Sequence, residues 1–256
     1  MRRPAIYPGL ADKTVFITGG GSGIGAALTE AFLGQGAKVA FVDVAEAESR
    51  ALCERLQKEQ GRAPLFIPCD IRDVPALQAA IARTGEELGD VGILLNNAAN
   101  DQRHAVEEVT VEYWDDRMAI NQRPMFFTAQ AVLPMMKRLG GGAIVNFGSI
   151  SWRVGQGGMP AYTMAKASVH GLTRGLARDF GPHNIRVNTL IPGWVMTERQ
   201  IKLWLTPEAA EQLEKDQCLK SRVMPEDIAD MALFLASDAA AKCTAQQYIV
   251  DGGWSY

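Results

Sequence analysis

Short runs of β-branched and aliphatic residues alternate with segments of helical length along the chain, and this alternation restricts the fold more than any other feature. Thr14–Ile17, Lys38–Val42, Pro64–Ile67, Val91–Leu95, Ala143–Phe147, Ile185–Leu190 and Gln247–Val250 read as strands. Between them lie a stretch running to about Gln35 and the segments Ala45–Gln60, Val74–Leu88, Val111–Leu139 and Tyr162–Phe180, all long enough for helices. Strictly alternating strands and helices predict an α/β chain: a single Rossmann-type domain spanning residues 1–256, doubly wound, with a seven-stranded parallel sheet and helices on both faces. A length of 256 residues suits one such domain. The least regular stretch, Thr197–Arg222, contains Trp204 and Pro207 and reads either as a lid over the site or as a surface helical excursion.

Composition excludes several classes. The formal charge of −3 gives no electrostatic case for nucleic acid or an anionic membrane as partner. Apolar runs are interrupted well before about 18 residues, so no transmembrane helix is expected. Met1-Arg2-Arg3-Pro4, followed by Pro8, Gly9 and Asp12, lacks the apolar core of a signal peptide. Cys53, Cys69, Cys218 and Cys243 are far apart and show no metal-ligand spacing, so no metal is expected. Reduced, mostly buried thiols in a cytoplasmic protein are the expectation.

Thr18-Gly19-Gly20-Gly21-Ser22-Gly23-Ile24-Gly25 follows the first strand and opens a helix. Glycines there permit a tight turn and close approach of the backbone to a pyrophosphate at the positive helix N-terminus. This context points to a dinucleotide. Asp43 ends the second strand, 18 residues after Gly25. Its carboxylate can accept both adenosine ribose hydroxyls and repels a 2′-phosphate, which favours NAD over NADP. Ser22, where a basic residue would help bind that phosphate, points the same way. Asp70 either accepts from the adenine amino group or caps the helix beginning near Asp73. Small residues at Asn96-Asn97-Ala98-Ala99 let the backbone pass close to the ribose.

Tyr162 and Lys166 are four residues apart on a helix, so phenol and ammonium share a face. A nearby ammonium is expected to lower the tyrosine pKa and make it an acid/base at neutral pH. Ser149 ends the fifth strand 13 residues before Tyr162, Asn121 lies in the preceding helix, and Pro192-Gly193 follows the sixth strand.

With the glycine turn and Asn96-Asn97-Ala98, these motifs resemble the short-chain dehydrogenase/reductase family along nearly the whole chain. Ala99 departs from the usual glycine. The resemblance implies that Tyr162 takes the substrate hydroxyl proton, Ser149 binds the same oxygen, Lys166 holds the nicotinamide ribose and Asn121 holds a proton-relaying water. It also implies cofactor contacts from Ile71, Pro192, Gly193, Val195 and Thr197, and a homotetramer. Asn100–His104, Phe147–Trp152 and Gln217–Lys220 look like the sugar 1-dehydrogenase branch acting on D-xylose, L-arabinose or D-galactose. The implied reaction is oxidation of an aldose to its lactone. Asn100, Gln156, Glu198 and Gln200 then supply polar contacts, and Trp152 and Trp194 an aromatic platform. Arg153, the Gly155–Gly158 loop and Trp194-Val195-Met196 depart from the xylose-dehydrogenase pattern. A non-sugar alcohol dehydrogenase and a non-catalytic nucleotide-sensing protein are the alternatives.

Overall fold

The computed structural model describes residues 5–255; the Met1–Pro4 reading lies outside them. Seven strands, β1 (Thr14–Thr18), β2 (Lys38–Asp43), β3 (Leu65–Pro68), β4 (Val91–Asn96), β5 (Gly142–Phe147), β6 (Ile185–Pro192) and β7 (Gln247–Val250), form one parallel sheet in the order β3-β2-β1-β4-β5-β6-β7. The predicted fold class is therefore the observed one. All five residues of β1 and all six of β4 are buried, as continuous apolar runs require when both sheet faces are covered.

Helices α1 (Gly23–Gly34), α2 (Glu46–Gln60) and α9 (Pro225–Ala236) cover one face, burying Leu28, Phe32, Leu56 and Leu233 against it. Helices α3 (Val74–Leu88), α5 (Arg123–Arg138) and α6 (Pro160–Phe180) cover the other with Leu77, Ile81, Val132, Met136 and Leu176. The register pairs Thr18 with Asn96, Asn96 with Asn146, and Asn146 with Thr189, so the carboxyl ends of the central strands are level. The strand order reverses beside β1 and β4, which is where open α/β sheets leave a ligand crevice.

Two expectations, the single Val111–Leu139 helix and the mostly buried thiols, are corrected. The helix expected over Val111–Leu139 is two, α4 (Val111–Asn121) and α5, broken at Gln122 with φ −131° and ψ −61°. Pro124, the second residue of α5, has no N–H to donate back to Ile120, which favours a break at this point. The irregular Thr197–Arg222 stretch contains two short helices, α7 (Glu198–Trp204) and α8 (Pro207–Asp216). All four cysteines are free, but Cys218 is exposed and the other three are only half-buried. Among the described residues no helix is long and apolar enough to cross a membrane.

Candidate active site

A cleft of about 1480 Å³ runs along the carboxyl edge of the sheet, from Gly19–Ala27 past Asp43 and Asn97 to Tyr162 and α7. Small-ligand pockets occupy roughly 300–1,000 Å³, so this one has room for two ligands side by side. At its β1 end the glycine turn is sterically obligatory. A Cβ on Gly25 would lie 1.7 Å from the Gly19 carbonyl oxygen. Gly19 itself has φ +67°, with a virtual Cβ 3.0 Å from Ala98. Ser22 precedes α1 without capping it through its side chain, leaving first-turn amides of a twelve-residue helix for an anion. These features fit a dinucleotide pyrophosphate.

Asp43 is locked in place, accepting from Gly21 N at 2.9 Å and Ala45 N at 3.0 Å, and it lines the cleft. Asn97 Nδ2 donates to the Thr18 and Gly19 carbonyls at 3.1 and 2.9 Å, tying the end of β4 to the glycine turn. Asp70 does not cap α3; Asp73 does, accepting from Ala76 N at 3.0 Å. The Asp70 carboxylate is bound by Arg72, whose hydrogen bonds hold it below the usual carboxylate range. Ser22, Gly23, Ile24, Ile71, Ala98, Ala99, Pro192, Gly193, Val195 and Thr197 all line the same cleft. Gly193 admits no side chain, since a Cβ would sit 2.6 Å from Asp251 Cα.

Ser149, Tyr162 and Lys166 converge at the middle of the cleft. Lys166 is 1% exposed, its Nζ donating to the Phe147 carbonyl at 2.8 Å and lying 5.8 Å from the Tyr162 ring centroid. Here the structure departs from the simple electrostatic expectation. Burial pushes the Tyr162 phenol up to about 12, and Asp101 adds to this. Hydrogen bonding to Ser149 and the charges of Arg103 and Arg199 pull it down, and burial wins. Burial lowers Lys166 as well, to about 7. Asn121 is fully buried at the end of α4, its amide paired to the Asn100 backbone at 2.8 and 3.0 Å, directly before the Gln122 break.

Beneath the cleft, a buried chain of side chains ties the sheet to its helices. Thr128 Oγ1 donates to Asn96, Asn96 to Asn146, and Asn146 to Thr173, at 2.7, 2.9 and 3.0 Å. Sequence reading offered no sign of it.

At the substrate end the residues divide. Asn100, Gln156, Trp194, Glu198 and Gln200 line the cleft; Trp152 does not. Its ring, at the end of the turn Ile150–Trp152, instead packs edge-on against His170 at 5.1 Å. Gln200 lines the cleft but its amide is engaged at both ends, by Trp194 at 2.9 Å and Asp101 at 2.8 Å. Sequence reading missed Asp101, Arg103, Arg199, Trp204 and Trp254 as cleft residues. Arg103 lies 5.1 Å over the Trp204 ring and 2.7 Å from Met159 Sδ. The signal was partly visible, since Asp101 and Arg103 fall within the Asn100–His104 run.

Fold and cleft together have the form of a dinucleotide-dependent oxidoreductase. A family profile described as enoyl-(acyl carrier protein) reductase matches residues 19–255. The chain is 51% identical to a probable galactose dehydrogenase of Rhizobium meliloti, over 96% of each protein. It is 50% identical to a D-xylose 1-dehydrogenase of Caulobacter vibrioides, over 98% of each. Among solved structures it is similar to a 7α-hydroxysteroid dehydrogenase complexed with NADH and 7-oxo glycochenodeoxycholic acid. That likeness has a TM-score of 0.91 and 31% identity, over 96% of this chain and 95% of the other. The chain belongs to the short-chain dehydrogenase/reductase family.

Proposed function

We propose that this protein oxidises the anomeric hydroxyl of an aldose to its lactone, using NAD. The observation that carries the substrate class is identity of about one half, along the full chain, with galactose and D-xylose dehydrogenases. The cleft chemistry agrees with it. Trp194 and Trp204 offer apolar faces for a pyranose ring, and Asn100, Gln156 and Arg103 offer polar partners for hydroxyls. For the cofactor, Asp43 at the end of β2 supports NAD over NADP, and no basic residue stands in the glycine turn.

NAD, when bound, supplies the nicotinamide C4 that accepts the hydride. Gly19, Ser22–Gly25, Asp43, Asp70, Ile71, Asn97–Ala99, Pro192, Gly193, Val195 and Thr197 are the residues proposed to hold it. Tyr162 takes the proton from the anomeric hydroxyl, and Ser149 Oγ fixes the same oxygen. Lys166, braced by the Phe147 carbonyl, provides the positive charge that a buried phenolate needs. Asn121 holds a water that passes the proton outward. Residues 197–222 act as the substrate lid. We place the protein in the cytoplasm, on its four free thiols. We also assign it a homotetrameric state, supported by the exposed apolar Val111, Trp114, Phe126 and Met164 on α4, α5 and α6.

A panel of pentoses and hexoses, each offered with NAD and with NADP, tests the proposal. Reduction of NAD by at least one aldose is expected. Turnover of only a simple secondary alcohol or ketoester would sink the sugar reading and favour the non-sugar dehydrogenase. Tyr162→Phe should cost roughly a hundred- to ten-thousandfold in kcat while NADH still binds; an unchanged rate would remove Tyr162 from the chemistry.

A further inference from the structure

Helix α7 crosses the substrate end of the cleft with no fully buried side chain to hold it there. It is seven residues long and none of them is buried. A helix of that length is far short of the roughly 12–15 residues at which isolated helices become even marginally stable. Its position must come from contacts outside itself.

Besides Arg103 over the Trp204 ring, the side-chain hydrogen bonds from α7 to the β4 loop meet at one carboxylate. Asp101, in the loop that follows β4, uses both oxygens: Arg199 Nη1 donates to Oδ1 at 2.5 Å and Gln200 Nε2 to Oδ2 at 2.8 Å. The other end of the Gln200 amide accepts from Trp194 Nε1 at 2.9 Å. A single side chain therefore joins the β4 loop, the turn after β6 and α7. An exposed ion pair would contribute little. This one differs, because the Asp101 side chain is only 16% exposed and is hydrogen-bonded at each oxygen. Burial works against its ionisation, yet Gln200, Arg199 and Arg103 keep its carboxyl below the usual range.

We propose that Asp101 is a positioning residue, a strut that holds α7 across the cleft and so forms the Trp194 and Trp204 walls of the substrate end. Gln200 is then part of the strut and not a substrate ligand. The inference rests on the aldose reading for what the walls receive.

The strut has an electrical consequence at the reacting phenol. The groups facing Tyr162 are Lys166 on its own helix, Ser149 after β5, Asp101 and Arg103 in the β4 loop, and Arg199 on α7. Asp101 favours the neutral phenol, while Arg103 and Arg199 favour the phenolate. The two ends of the ion pair thus act on Tyr162 with opposite signs.

Two variants separate this from a merely structural role. Asp101→Asn and Arg199→Gln should each raise the aldose KM about tenfold, with the KM for NAD moving much less. The acid limb of log(kcat/KM) should move to lower pH in Asp101→Asn and to higher pH in Arg199→Gln. Amide hydrogen exchange of α7 should quicken in both, which reads the strut without turnover. Unchanged exchange, or limbs moving the same way in the two variants, would overturn the proposal. If the wild-type protein oxidised no aldose, the function would be misread, and the exchange measurement would still decide the strut. Should Asp101→Asn fail to fold, Arg199→Gln alone carries the test, because the Arg199 side chain is 51% exposed and tolerates replacement.

Discussion

Lys166 brings an amine into surroundings that leave it 1% exposed, where it donates a hydrogen bond to the Phe147 carbonyl. Burial lowers it from 10.5 to about 7, and burial raises Tyr162 from 10.0 to about 12. Between pH 7 and 10.5 the unfolded chain holds a proton at Lys166 that the folded protein has lost, so stability rises with pH through that window. Between pH 10 and 12 the folded protein keeps a Tyr162 proton that the unfolded chain has released, so stability falls there. In the free protein, melting temperature should therefore climb from pH 7 towards 10, and Lys166→Met should flatten that climb. An identical slope in the variant would show that Lys166 is not what titrates. The spacing of Tyr162 and Lys166 was legible in the sequence because one helix turn sets it. Which of the two groups burial perturbs, and in which direction, was not, because desolvation depends on what the rest of the chain lays over them.

At the level of single elements, helix starts and strand ends carry the cofactor side of the cleft. Asp70 and Asp73 follow β3 within four residues of each other, and sequence left open whether Asp70 meets the adenine or caps α3. The structure gives the cap to Asp73 and leaves Asp70 at the cleft with Arg72. Asp73→Ala should cost about 1 kcal/mol in denaturant unfolding with no change in kcat/KM. Asp70→Ala should instead raise the KM for NAD with little loss of stability. The reverse pattern would exchange their roles. All seven strands were legible to within two residues at each end, since buried parallel strands read as unbroken apolar runs. The break between α4 and α5 was overlooked because the apolar pattern continues through Gln122. Pro124 was the available signal, and it marks the point where Asn121 can end a helix and turn its amide to the Asn100 backbone.

For the molecule as a whole, the apolar residues left outside are as informative as those within. Met118 on α4, Phe126 and Phe127 on α5, and Leu172 on α6 line a shallow hollow on the face that also exposes Trp114 and Met164. An exposed patch of this kind is suited to self-association about a symmetry axis. Phe126→Asp should shift the assembly to a smaller species by light scattering, while the monomer keeps its fold. An unchanged mass would take this face out of the assembly. The sequence by itself determined the α/β class, the glycine turn after β1, the acidic end of β2 and the Ser149, Tyr162 and Lys166 spacing. Each of these depends on neighbours in the chain, on helix or strand period, or on the backbone freedom of glycine. Only the tertiary structure decided that Trp152 turns away from the cleft and that Gln200 is bound at both ends. It alone brought Asp101 and Arg199, 98 residues apart, into an ion pair. Those contacts depend on how loops from separate strands meet over the sheet edge, and no local pattern encodes such a meeting.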